Sequence, residues 1–302
     1  MKLIVQPDAG VAPIVTAIKQ ARKSIDILIF RLDRVEVARA LEAAVARGVR
    51  VRALTAHQNR GGTKSLRKLE LELLAGGVTV SRTADDLVRY HGKLMIVDGR
   101  LLHVYGFNFT ALDIEKSRSF GIITKNEHLV NEAAKLFGAD FDRQPYTPGY
   151  ERLVVSPENA RERLARFLRG ARRELLIYDP KVGDDAMLKI LVERIKAGVD
   201  VRVIGRVDSK ANVPSEKHPD KRLHIRAIIR DGKHAFMGSQ GPAPHRAGEA
   251  PRDRRHRQRR ERRARNAGDL RGGLGADRQR PQAAQERKEE RGEGARRRLV
   301  KL

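Results

Sequence analysis

The sequence has 302 residues and a formal net charge of +25, from 63 Lys and Arg against 38 Asp and Glu. It contains no Cys, which excludes a disulfide framework, a metal site built on thiolates and a Cys nucleophile. No apolar run approaches the roughly 18 residues that a bilayer span requires, and the first residues lack the pattern of a signal peptide. We therefore expect a soluble, cytoplasmic protein with no signal peptide or transmembrane segment.

The positive charge is unevenly distributed along the chain. Residues 242–302 hold 20 Lys and Arg against nine Asp and Glu, and they include no Ile, Phe, Tyr, Trp or Met. A segment of this composition cannot bury enough apolar surface to offset the entropy of ordering. We expect an Arg-rich, disordered tail over residues 242–302 and a folded part over residues 1–241.

Apolar periodicity in the first half predicts alternating helices and strands. In chain order the pattern predicts a helix over 12–22, a strand over 24–30, a helix over 35–47, a strand over 49–55, a helix over 64–75, a strand over 119–124 and a helix over 127–141. This alternation favours an α/β fold with helices on both sides of a mixed or parallel sheet.

Three short sequences recur at a constant spacing of 150 residues. They are Val5-Gln6-Pro7 with Val155-Ser156-Pro157, Ala-Arg-Lys at 21–23 with Ala-Arg-Arg at 171–173, and the segments 46–52 and 196–202. A constant offset predicts a duplicated α/β unit. We place the N-terminal half at residues 1–148 and an incomplete C-terminal half at 149–241, joined by the Pro- and Gly-containing segment 143–149.

Each half contains a His, a cation two residues later and an Asp seven residues after the His. These are His91, Lys93 and Asp98 in the first half, and His224, Arg226 and Asp231 in the second. Both triplets lie on an apolar, strand-like background, where residues i and i+2 share a face. The imidazole and the cation would then point the same way, and a titratable ring beside a fixed positive charge suits a phosphate group.

Each motif is followed, 14 to 17 residues after its His, by a turn of small or amide residues, 105–108 and 238–241. These two motifs and turns resemble the signature of the phospholipase D superfamily, a duplicated HxKxxxxD followed by GSxN, and the resemblance covers residues 1–241. Arg226 stands in place of the second Lys, and Tyr105 in place of the Gly of the first turn. The resemblance implies two α/β halves packed around one shared active site. It also implies a phosphodiesterase or phosphatidyl transferase that forms a phosphohistidine and requires no metal or cofactor.

The resemblance assigns roles to the two histidines. We expect His91 to attack phosphorus, and His224 to act first as general acid and then as general base, although the symmetry of the sequence leaves the reverse order open. Lys93 and Arg226 would hold the phosphate and stabilise the charge that develops in the transition state.

Four residues of the two turns are expected to contact the substrate: Asn108, Gly106, Ser239 and Gln240. Asn108 stands at the signature Asn, and its amide could donate to a phosphate oxygen. Gly106 replaces the usual Ser of the first turn, and Gly241 stands where the second Asn would be. The site is therefore less symmetric than the signature.

Asp98 and Asp231 end their predicted strands, and we assign them an orienting or structural role. Glu115, Ser117 and Arg118 follow the first turn, close enough to reach the site, but an ordinary loop is the favoured interpretation.

The expected substrate is a phosphodiester, with a phospholipid slightly favoured over a nucleic acid. The excess positive charge of residues 1–241 suits either polyanion, and it also suits peripheral association with an anionic membrane surface. Two alternatives stay open: a catalytically impaired protein that binds lipid or nucleic acid, and a nuclease of the same superfamily.

The duplication predicts that residues 252–257 repeat the strand over 119–124, but they read Arg-Asp-Arg-Arg-His-Arg. We therefore expect the second half to lack its last strand and helix. One hypothesis is a natural basic arm. The favoured one is a shift of reading frame near codon 241 in a GC-rich gene, which resequencing would reveal as a single insertion or deletion.

Overall fold

The computed structural model describes residues 1–57, 64–84, 90–156, 158–207 and 211–238, and the backbone of 299–301. Its elements form two α/β units. The first unit contains β1 (Lys2–Gln6), α1 (Ala12–Gln20), β2 (Ser24–Ile29), α2 (Val35–Ala46), β3 (Arg50–Thr55), α3 (Lys64–Ala75), β4 (Thr79–Arg82), β5 (Leu94–Val97), β6 (Leu101–Tyr105), α4 (Ala111–Glu115), β7 (Ser117–Thr124) and α5 (Glu127–Phe141).

The second unit begins with the same β-α-β-α-β order, but among the described residues it has no counterpart of α3, α4 or α5. It contains β8 (Leu153–Val155), α6 (Ala160–Arg169), β9 (Glu174–Val182), α7 (Asp185–Lys196), β10 (Asp200–Val207), β11 (Ser215–Glu216), β12 (Arg222–Leu223), β13 (Arg226–Arg230), β14 (His234–Gly238) and β15 (Leu299–Lys301). The prediction of an α/β fold is confirmed.

The two sheets have corresponding strand orders. The first runs β1-β7-β6-β5-β2-β3-β4, and the second runs β8-β15-β14-β13-β9-β10-β11. In both sheets the strands β2 to β4 and β9 to β11 are parallel, and the remaining pairs of each order are antiparallel. Strand β12 departs from this order, because it leaves the second unit and pairs in parallel with β7 of the first.

The expectation that the second half lacks its last strand is wrong, because the backbone of residues 299–301 forms that strand. Strand β15 lies between β14 and β8, the place that β7 takes between β6 and β1. The sequence argument failed because it searched at a fixed offset from the motif, whereas the strand comes from residues 299–301. These three residues of the predicted disordered tail are therefore in a strand; residues 242–298 and 302 lie outside the described residues.

The helices form where their apolar residues share one face. In α2 the buried positions Val37, Ala40, Leu41 and Ala44 follow the spacing of one helical face. The prediction for α3 matches its observed bounds, and the first helix ends at Gln20, two residues earlier than predicted, because Ala21 is extended.

Three apolar clusters hold the molecule together. One lies between the first sheet and α1 and α2, and another lies between the second sheet and α6 and α7. The third cluster joins the two units, because α5 packs Leu129 and Phe137 with Leu153, Ile225 and Met237 of the second unit. The segment that links the units is anchored on α5, whose Glu132 accepts hydrogen bonds from Tyr146 and Gly149.

Within the part of the chain that the structure describes, no helix combines the length and apolar character needed to cross a bilayer.

Candidate active site

The two motif histidines face each other where the units meet. The ring centroids of His91 and His224 are 6.4 Å apart, and the rings are nearly perpendicular. Both rings line a cavity of about 550 Å³. Its wall also includes Phe30, Arg31, Leu32, Asp33, Ser65, Leu66, Leu69, Asn108, Thr110, Leu112, Asp113 and Arg222. Two motifs 133 residues apart in the sequence therefore contribute to one cavity.

His91 is held by groups of the first unit. Its ring packs edge-on against Phe30, with the centroids 4.4 Å apart. The Nζ atom of Lys93 lies 3.0 Å from Nδ1 and 3.2 Å from Nε2 of the ring, and it donates to the His91 carbonyl at 2.8 Å. Lys93 is almost fully buried. The fixed positive charge of the motif is therefore directly beside the imidazole.

The sequence analysis expected His91 and Lys93 to be close because alternate residues of a strand share a face, and this reason is wrong. His91 and Lys93 precede β5, which begins at Leu94, so they do not lie on a strand. His224 likewise lies between β12 and β13, and Arg226 is the first residue of β13. The alternation rule for strands therefore does not apply to either histidine, and local contacts rather than strand geometry set their directions.

His224 belongs to the second unit, but its backbone is bonded to the first. Its N–H donates to the Arg118 carbonyl at 3.1 Å, and its carbonyl accepts from the Ser119 hydroxyl at 2.8 Å. Both partners are on β7, next to the short strand β12. Arg118 and Ser117 thus lie in a strand that holds the second histidine, whereas the sequence favoured an ordinary loop.

Asp113 is a site residue that the sequence analysis missed. It lies on the short helix α4, is 2% exposed, and has its Oδ2 atom 2.8 Å from Nδ1 of His224. The same oxygen accepts hydrogen bonds from the backbone and the side-chain amide of Asn108, and Oδ1 accepts from Arg222 at 2.7 Å. The only hint in the sequence is its position five residues after Asn108.

The surroundings of Asp113 and His224 shift the pKa values of both groups. Burial opposes ionisation of Asp113, but the contacts with His224 and Arg222 outweigh it and hold its pKa well below the usual range. Burial lowers the pKa of His224; Asp113 acts in the opposite direction, while the charges of Lys93 and Arg222 lower it further. Asp113 therefore favours the ionised carboxylate, and its charge offsets part of the effect of burial on the pKa of His224.

Asn108 and Gly106 occupy the first turn. The Nδ2 atom of Asn108 donates to Asp113 at 2.6 Å, and its Oδ1 atom is buried without a hydrogen-bond partner among the described residues. Gly106 is buried, and its N–H donates to the Phe120 carbonyl at 2.9 Å. Ser239 and Gln240, the expected substrate contacts of the second turn, lie outside the described residues.

The motif carboxylates lie at turns at the far ends of β5 and β13. Asp98 accepts from the backbone N–H groups of residues 22–24, and Asp231 accepts from those of residues 172–174. Both have a positive φ, 54° and 55°. These hydrogen bonds attach the turn after β5 to the start of β2, and the turn after β13 to the start of β9. Neither Asp is among the described residues that line the cavity.

The positive charge around the cavity differs from the sequence prediction. Among the described residues of the wall, the permanent cations are Arg31 and Arg222, neither of which belongs to a motif. Arg226 instead has its Nε atom 3.4 Å from the buried carboxylate of Asp179. The described residues contain no group of three or more metal-ligating side chains that could hold an ion.

Comparisons with known proteins agree with this geometry. Residues 14–141 match the family model described as cardiolipin synthase, PLD-like domain. Human mitochondrial cardiolipin hydrolase is 28% identical over 137 residues, which cover 45% of this chain and 51% of that protein. The zebrafish (Danio rerio) protein of the same name is 32% identical over 114 residues, covering 36% and 47%. The chain thus spans about half the length of these relatives.

Two solved structures resemble the fold over both units. Polyphosphate kinase from Porphyromonas gingivalis aligns with a TM-score of 0.63 at 20% identity, over 79% of this chain and 45% of that one. Phosphatidylserine synthase from Haemophilus influenzae aligns with a TM-score of 0.59 at 10% identity, over 80% of this chain and 78% of that one. At these identities the likeness concerns the fold alone.

The first unit therefore carries a phospholipase D-like domain over residues 14–141. The matched model and the named relatives support the phospholipase D superfamily as the family of this chain.

Proposed function

We propose that the chain cleaves or exchanges a phosphodiester in the cavity between His91 and His224, with the two units acting as duplicated halves around this one site. The observation that carries the proposal is the separation of 6.4 Å between the two ring centroids, each from a different unit. A tetrahedral phosphate bound between the rings would have one imidazole on either side, as in-line displacement requires.

The chemistry proceeds in two balanced steps. A ring nitrogen of His91 attacks phosphorus, the bond to the leaving oxygen breaks, and protonated His224 donates its proton to that oxygen. Water, or an alcohol in a transfer, then attacks the phosphohistidine, gives its proton to His224 and releases His91. Covalent catalysis of this kind replaces one difficult displacement with two easier ones.

Asp113 supports the role of His224 as general acid and base. A carboxylate at Nδ1 fixes the tautomer of an imidazole and stabilises its protonated form, which is what a general acid and base needs. The Oδ2 atom of Asp113 lies 2.8 Å from Nδ1 of His224. With His224 in this role His91 is the nucleophile, and the reverse order is the alternative that the symmetric sequence left open.

The cations divide the remaining work. Arg31 lines the cavity and would contact the non-bridging oxygens of the phosphate, because a guanidinium binds such oxygens bidentately. Arg222 also borders the cavity, but its guanidinium is bonded to Asp113 and Ser117. Buried Lys93 contacts the His91 ring and would hold it in place for the attack on phosphorus. Arg226 contacts Asp179 and is not among the described residues that line the cavity, so its charge would reach the phosphate only indirectly.

A phospholipid is the favoured substrate, met at an anionic membrane surface from the cytoplasmic side. The names of the matched relatives and of the family model refer to cardiolipin. Leu112, on the wall of the cavity, is 53% exposed and offers apolar contact to an acyl or glycerol group. The experiment offers vesicles of phosphatidylcholine and cardiolipin, and separately a single-stranded oligonucleotide, to the wild type and His91→Ala.

The matched control is His234→Ala, which removes an exposed histidine of β14. We expect lipid products from the wild type and the control and none from His91→Ala. Products from the oligonucleotide alone would replace the lipid substrate with a nucleic acid. Equal turnover by His91→Ala, or no product from any substrate, would overturn the enzymatic proposal and leave a protein that binds polyanions.

A further inference from the structure

Arg222 connects the two units at the candidate site. It lies on β12, two residues before His224 and outside both motifs, and its strand pairs with β7 of the first sheet. Its Nη1 atom donates to Oδ1 of Asp113 at 2.7 Å and to the Ser117 hydroxyl at 2.8 Å. The side chain is 45% exposed and borders the cavity, whereas its partner Asp113 is almost fully buried.

The carboxylate of Asp113 is held at both oxygens. Arg222 occupies Oδ1, while His224 and Asn108 lie at Oδ2. A carboxylate with partners on each oxygen cannot rotate without losing one set, so the bond from Arg222 fixes the orientation of Oδ2 toward His224. Removing Arg222 would leave Oδ1 of the buried Asp113 without this partner, while His224 and Asn108 stay at Oδ2.

We propose that Arg222 is a positioning residue that holds Asp113, and through it the ring of His224, in the geometry for acid–base catalysis. The assignment rests on the proposed function, since it takes His224 to be the general acid and base. Arg222 acts on the reacting atoms through Asp113, and its bond to Ser117 attaches β12, the strand just before His224, to the first unit.

The charges around His224 give this role a distinct signature. On α4 the group near the ring is Asp113. In the segment before β5 it is Lys93 and the ring of His91, and on β12 it is Arg222. The Arg222 charge lowers the pKa of His224, and the Asp113 charge raises it. Neutralising residue 222 therefore raises the pKa of His224, whereas neutralising residue 113 lowers it.

The experiment compares the full-length wild type with Arg222→Gln, Arg222→Lys and the control Arg202→Gln. Arg202 is an exposed arginine of β10 that pairs with Asp200 of the same strand, and neither residue lines the cavity. Two readouts are taken: kcat and KM across pH on the vesicle or oligonucleotide that the wild type cleaves, and the titration of the His224 ring by ¹⁵N NMR. His224→Gln identifies the His224 signals.

We expect Arg222→Gln to lower kcat by about 10- to 100-fold with a smaller change in KM, as loss of oriented acid–base catalysis predicts. The His224 titration and the alkaline limb of kcat/KM both shift to higher pH. Arg222→Lys restores the charge, and with it the wild-type titration and part of kcat. Arg202→Gln behaves as the wild type.

The result that overturns the proposal is an Arg222→Gln protein with unchanged kcat and an unchanged His224 titration. A uniform loss of folded protein, with no shift in the titration of what remains folded, also overturns it, because a purely structural role predicts that outcome. The NMR arm needs no turnover. A wild type without activity but with the expected shift in Arg222→Gln therefore refutes the proposed function and leaves the positioning role intact.

Discussion

Asp113 of the first unit and His224 of the second lie 2.8 Å apart, with the carboxylate oxygen at Nδ1 of the ring. The contact crosses the boundary between the units and depends on strand β12, which leaves its own sheet to pair with β7.

The first prediction concerns that contact. Asp113→Asn keeps the size of the side chain but removes its charge, so protonated His224 loses its stabilising partner. We expect kcat to fall by about 100-fold or more, which is the range of acid–base catalysis. The pKa of His224 should also fall, because Asp113 raises it.

The matched control is Asp200→Asn, which neutralises an exposed carboxylate on β10. Steady-state kinetics and the ring titration of His224 provide the measurements. Asp113→Asn with wild-type kcat would show that the carboxylate has no part in the reaction.

The sequence predicted the paired histidines because an internal repeat marks both of them at matching positions. It could not predict Asp113, since a single Asp on a helix of five residues has no distinguishing pattern, and only the path of β12 brings it to His224. The direction of Lys93 was inferred from strand alternation, yet residues 91–93 precede β5. Short segments between strands follow their local contacts, which periodicity does not encode.

A second prediction concerns the space around Gly106, which stands where the family signature has serine. A Cβ atom at Gly106 would overlap Cδ1 of Ile225 and would lie 3.1 Å from the Phe120 carbonyl. Gly106→Ser should therefore lower the free energy of unfolding by about 1–3 kcal/mol, the usual cost of overpacking. Urea denaturation followed by circular dichroism measures this free energy, since the chain has no Trp to serve as a fluorescent probe.

Ile225→Val removes the clashing methyl group and serves as the partner in a double-mutant cycle. Alone it should cost about 0.5–1.5 kcal/mol. Combined with Gly106→Ser it should cost less than the sum of the two single changes. Additive costs would place the overlap elsewhere, at the Phe120 carbonyl.

A third prediction concerns Asp231 and pH. Hydrogen bonds from the backbone N–H groups of Arg173, Arg172 and Glu174 lower the pKa of Asp231 from its ordinary value of 3.8 to about 2. A lowered pKa in the folded state stabilises the fold above pH 3.8, and this contribution is lost as the pH falls through 2. Asp231→Asn should therefore destabilise the protein at pH 7 and have a smaller effect near pH 2.

Asparagine tolerates the positive φ at this position, so the substitution isolates the charge and its hydrogen bonds. Asp98→Asn tests the corresponding turn of the first unit, where the pKa of Asp98 is also lowered. The measurement is the free energy of unfolding from pH 7 to pH 2. A difference between Asp231→Asn and the wild type that stays constant over this range would contradict the prediction.

A fourth prediction tests strand β15. Val300 pairs with Gly238 of β14 on one side and with Val154 of β8 on the other. Proline at a position inside a sheet removes a ladder hydrogen bond. Val300→Pro should therefore accelerate hydrogen exchange of the amides in β8 and β14, whereas Val300→Ala should change exchange far less. Equal exchange in the two variants would show that residues 299–301 do not complete the sheet in solution.

The central claim is that His91 forms a covalent bond to phosphorus while His224 transfers protons. The most direct measurement is to trap the adduct with a substrate labelled on the phosphorus side, at alkaline pH where a phosphohistidine survives, and to locate it by mass spectrometry. The account predicts a labelled adduct on His91 in the wild type and none in His91→Ala. In His224→Gln the adduct should accumulate further if its breakdown is slowed more than its formation. Product formation with the label on His224, or with no labelled histidine under trapping conditions, would contradict it.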